Sequence, residues 1–140
     1  MALGPLTYKT PNQITYITAD LSGSEGCGVT LTAQGTIGLS TVQTELPYGV
    51  VVVGAASVSG TYTGQVAAGA LEIVDAYGAV VQLQAGAGAI AVGDSLQVNG
   101  SGQFIAAAGT VGEWVWGYAL TAAPAGGQFL GRFAPYIKQA

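Results

Sequence analysis

Apolar and polar residues alternate along most of this chain in short runs separated by glycine-rich turns, and a period of two over such lengths reads as β-strand. The runs are ITYITA (14–19), GVTLTA (28–33), a stretch opening with VVVV (50–57), ALEIVDA (70–76), AVVQLQA (79–85), SLQVN (95–99), QFIAA (103–107), EWVWGYAL (113–120) and GQFLGRFA (127–134). Between them lie SGSEGCG, AQGTIG, SGTYTG, AGAGAIAVG, NGSG and AAPAGG, which read as turns and loops. The pattern predicts an all-β fold, a single-domain sandwich or barrel of short antiparallel strands. No segment of helical length carries a 3.6-residue period; one short helix or turn is allowed at QTELPYG (43–49).

The alternation assigns faces. Val81, Leu83 and Ala85 point one way and Gln82 and Gln84 the other; Val29 and Leu31 oppose Thr30 and Thr32. Along 113–120, Trp114, Trp116, Tyr118 and Leu120 are expected on one face and Val115, Gly117 and Ala119 on the other, so both faces are apolar. Such a strand is central in a two-sided core or lies at a subunit contact, and Trp114, Trp116 and Tyr118 are assigned to core or subunit packing. SLQVNGSGQFI is expected to form a hairpin that reverses at Asn99-Gly100-Ser101-Gly102. Residues 1–13, with Pro5 and Pro11 and little periodicity, read as an extended N-terminal arm, leaving 14–140 as one β domain.

Charge changes this picture. Half of the 140 residues are hydrophobic and only 7% are charged, against about 25% in an ordinary globular chain. Amide and hydroxyl outer faces cover part of that deficit without charge, and contact with other protein covers the rest. A bilayer fits poorly, because the longest charge-free segment, between Glu45 and Glu72, is broken by glycines and a proline, and its VVVV run is far shorter than the roughly 20 apolar residues of a spanning helix. The start MALGPLTYKTP has no basic end followed by an apolar block, so a secretory signal is not expected and synthesis is assigned to a cytoplasm. Three cations, Lys9, Arg132 and Lys138, and a net charge of −4 cannot build a phosphate-binding stripe, so no direct nucleic-acid partner is expected.

Candidate chemistry is sparse. The chain has no histidine and one cysteine, Cys27, which excludes an internal disulfide and a cysteine-cluster metal site. GAGAIAVG (86–93) lacks the spacing and the Lys-Ser/Thr of a phosphate loop, and Asp94 reads as a turn residue bonding nearby backbone amides. Glu72 and Asp75 point to opposite faces of a regular strand, and Asp20 to Glu25 lacks the oxygen spacing of a calcium loop. No catalytic, cofactor or metal residues are assigned, and the chain is not expected to be an enzyme.

The stretches AVGDSLQVNGSGQFIAAAG (91–109) and GEWVWGYALTAAPAGGQFLGRFAP (112–135) combine a Gly-Asp before a strand, a glycine-turn hairpin, an alanine-rich segment, Gly117-Tyr118-Ala119-Leu120, a loop ending Ala125-Gly126-Gly127 and a closing strand from Phe129 to Phe133. In this order they resemble a family of small tailed-phage proteins that decorate, or cement, the capsid. The resemblance covers about a third of the chain. It implies a small β-barrel or sandwich that binds outside the expanded head, usually as a homotrimer, with the major capsid protein as partner and an N-terminal arm reaching neighbouring subunits. On that basis Leu3, Leu6, Tyr8, Lys9 and Pro11 are the expected capsid contacts. A carbohydrate-binding β-sandwich module stacking sugar on Trp114 or Trp116, and a tail or fibre subunit, are the alternatives.

Overall fold

The computed structural model describes residues 14–18, 21–33, 36–53, 59–62 and 72–140, and all regular structure among them is β-strand. Six strands make a first sheet: β1 (Ile14–Thr18), β2 (Gly28–Ala33), β3 (Thr36–Leu39), β4 (Gly49–Val53), β5 (Ser59–Tyr62) and β6 (Glu72–Val74), ordered β5-β1-β3-β2-β4-β6. The other five, β7 (Val80–Gln84), β8 (Ser95–Val98), β9 (Phe104–Ala106), β10 (Trp114–Ala119) and β11 (Gln128–Ile137), make a second sheet ordered β7-β11-β10-β8-β9. Each sheet therefore comes from its own contiguous part of the chain. A parallel bridge between Ala85 and Phe104, with Gly86 N–H donating to Phe104 O at 2.9 Å, links the two edges of the second sheet and curls it towards a closed barrel.

The all-β expectation holds, with two differences. TIGL and SGTY, read as parts of turns, are strands β3 and β5. Ile37 in β3 is fully buried, and that burial overrides the glycine beside it; β5 pairs with β1 through backbone groups that serine, glycine and threonine supply as well as any residue. The second difference is that β1 and β3 run parallel, because β2 carries the chain back between them before β3 folds against it. The segment 43–49, allowed as a short helix or turn, forms turns: the Glu45 carboxylate accepts from the backbone N–H groups of Thr41 (2.8 Å) and Val42 (3.0 Å) and ties the loop to itself. The predicted arm, 1–13, lies outside the described residues.

Two apolar clusters form the core. The larger fills the concave side of the second sheet with Val81, Leu83, Leu96, Val98, Phe104, Trp116, Phe129 and Phe133; the smaller gathers Leu21, Val29, Ile37 and Val51 on the first sheet. Strand β4 joins them. Val50 belongs to the larger cluster and Val51 to the smaller, which explains why this strand is an unbroken valine run where the others alternate. Gly28 is the second joint: a Cβ there would sit 2.7 Å from the Trp116 ring, so only glycine lets β2 approach the tryptophan this closely. Backbone bonds stitch the same seam, with Gln84 N–H donating to Gly26 O (3.0 Å) and Gly28 N–H to Gly102 O (2.9 Å).

Thr30 departs from its expected place on a solvated face. It is 2% exposed and its Oγ1 donates to Leu46 O at 2.8 Å, because the 41–48 loop folds over that side of β2.

Candidate functional site

Alternation predicts one continuous aromatic face on strand β10, and the strand does not carry one. Trp116 is 1% exposed, Trp114 is half-buried and Tyr118 is 41% exposed. Two irregularities explain the difference. Between Val115 and Gly117 the ladder with β11 shifts register, so that Ala134 and Pro135 together oppose Trp116, a bulge placed where proline has no ladder hydrogen bond to lose. At the same point Gly117 adopts φ +147°, and the inward direction passes from Trp116 to Ala119, an odd step that a regular strand cannot make. Trp116 then meets Phe104 edge-on at 5.5 Å and Phe133 at 6.1 Å. Its Nε1–H is buried with no partner among the described residues.

The two tryptophans therefore do not form a joint platform. Trp114 pairs with Ile137 across the ladder, and its backbone N–H donates to Gln43 O (2.9 Å), while the Gln43 side-chain amide donates to Val98 O (3.0 Å). Gln43 thus clasps the 41–48 loop of the first sheet to the second.

Tyr118 instead belongs to a row across the convex side of the second sheet. Register places Val80, Arg132, Tyr118 and Ser95 side by side on β7, β11, β10 and β8, with Leu130 opposite Gln82 in the next row. Val80 and Leu130 are about half exposed, and the Arg132 guanidinium is tethered to Gly78 O at 2.6 Å. The face is apolar, amide and hydroxyl with one cation in the row. Its signal lies in GQFLGRFA, where Phe129, Gly131 and Phe133 turn inward and Gln128, Leu130 and Arg132 outward. Further along β8 the face is closed: Gln97 is 2% exposed, accepts from Ala108 N–H (3.1 Å) and donates to Glu113 (3.3 Å), which fastens the 107–113 loop over it.

Asp94, and Asn99 at the predicted hairpin turn, are held by their turns. Asp94 accepts from Ala91 N–H at 2.9 Å, and Asn99 Oδ1 accepts from Ser101 and Gln103 N–H at 2.8 and 3.1 Å, as turn residues do. Among the described residues no three His, Cys, Asp or Glu side chains gather as a metal set, and no helix is long and apolar enough to cross a membrane.

Cys27 is buried, and burial, reinforced by the Glu25 carboxylate, pushes its thiol above the ordinary 9.0; burial, with Asp75, likewise raises the Tyr48 phenol above 10.0. Both groups keep their protons longer in the folded chain than in the unfolded one. Their contribution is therefore complete below the unfolded values and is lost as pH rises through the folded ones. The urea midpoint is expected to fall as pH rises from about 9 to about 11, and a Cys27→Ala variant should begin that fall later. Equal midpoints across that range for the unmodified protein would contradict the burial argument.

No model of a known protein family matches the chain, and no curated protein matches it in sequence.

Proposed function

We propose that this chain is a capsid decoration protein of a tailed phage, which trimerises on the outside of the expanded head and bridges neighbouring major capsid subunits. The observation that carries the reading is the ordered resemblance over 91–135. The surface supports it. Large apolar residues such as Val80, Leu130 and Tyr118 stand exposed on a convex face with little charge around them, which suits a protein that works in contact with others. A ligand that binds the assembled lattice and not its separated parts stabilises the lattice by mass action, and joining three protomers raises the effective concentration of each contact. With Trp116 sealed in the core, a sugar-stacking site on Trp114 or Trp116 is left with the half-buried Trp114 alone.

Mixing the purified protein with expanded and unexpanded heads of its source phage tests this. Ordered protrusions at three-fold positions on expanded heads alone, seen by electron microscopy, are the expected result; bare particles of both kinds would overturn the reading. Removing residues 1–11, and with them Leu3, Leu6, Tyr8, Lys9 and Pro11, should weaken head binding while leaving the melting temperature within a few degrees of the full chain's. A collapse in melting temperature would place the arm in the fold instead.

A further inference from the structure

A crevice of about 100 Å³ opens at the seam between the two sheets, where the Glu25–Gly26 turn and β4 pass the edge of β7. One wall is aliphatic, formed by Val51, Val52 and Val81; the rest is polar, formed by Glu25, Gln82 and Gln128. Gln82 Nε2 donates to Gln128 Oε1 at 2.6 Å, which fixes both amides and leaves the Gln82 carbonyl oxygen as an acceptor. The backbone of Gly26, which also lines the crevice, is already paired, since Gly26 N–H donates to Val51 O (2.8 Å) and Gly26 O accepts from Gln84 N–H (3.0 Å). What the crevice offers a visitor is therefore an aliphatic lining together with side-chain acceptors. Glu25 is also engaged within its own chain, but an ionised carboxylate has about four lone-pair sites and accepts further donors.

We propose that this crevice is a socket for an arginine side chain presented by a partner protein. Arginine combines an aliphatic stem, which buries against valines, with a planar head of five donors that satisfies several acceptors at once. The net charge of −4 favours the approach of a basic partner. The socket rests on its own geometry and stands or falls apart from the capsid reading.

Nitrogen-15 labelled protein titrated with Nα-acetyl-arginine amide tests it, with Nα-acetyl-norleucine amide as the stem without the head. Saturable shifts are expected at the Gly26 and Val52 backbone amides and at the Gln82 and Gln128 side chains. Affinity should fall about threefold in Glu25→Gln, as for a part-exposed ion pair, and at least as much for the norleucine probe. Glu25 is exposed, so this variant should melt with the unmodified protein, and the melting curve checks that. Shifts that fail to saturate, shifts centred elsewhere, or equal affinity for both probes would overturn the assignment.

Discussion

Gly117→Ala is expected to lower the unfolding free energy by about 3–5 kcal/mol, the sum of backbone strain and overpacking. A Cβ at this position would overlap Arg132 O and lie 3.0 Å from Ala134 N, and φ +147° is a conformation that side-chain-bearing residues rarely adopt. Those neighbours are backbone atoms of β11, held in the ladder on both sides, so they cannot step aside as a flexible side chain would. Gly112 supplies the comparison. It has φ +88°, and a Cβ there would meet nothing within 4 Å, so Gly112→Ala bears the conformational term alone, about 1–2 kcal/mol. Urea unfolding of both variants, followed by tryptophan fluorescence, separates the two contributions. Equal midpoints would mean that the close approach at Gly117 does not exist.

Trp116→Ala should cost a further large amount, about 3–5 kcal/mol, because it empties the middle of the larger cluster between Phe104 and Phe133. Trp116→Phe should cost less than its lost volume suggests, since it also removes a buried Nε1–H that has no partner among the described residues. Tyr118→Ala, two residues along the same strand, is expected to change stability by no more than about 0.5 kcal/mol. A loss at position 118 comparable to that at 116 would restore the single aromatic face that the alternation of β10 suggests.

That contrast shows what is legible in the sequence. The β8–β9 hairpin can be read directly, because Leu96 and Val98 alternate and Asn99 makes its own turn with Ser101 and Gln103. The double burial of β4 is written in its valine run. The aromatic stripe misleads because period-two reasoning assumes a regular strand, and nothing in EWVWGYAL beyond its glycine announces the change of phase at Gly117. Thr30 and Gln97 escape for another reason: each is a polar side chain on an outward position that a distant loop covers, and local pattern carries no information about that loop. The crevice at Glu25 is hidden in the same way, since its walls come from four separate stretches that only the seam between the sheets brings together.

The division of the chain into two successive sheets bears on how it is made. Ribosomes deliver about 5–20 residues per second, so Val50 leaves the exit tunnel roughly 3–13 seconds before the Trp116 that completes its surroundings. Through that interval Val50 and Gly28 lack the indole against which both pack in the finished molecule.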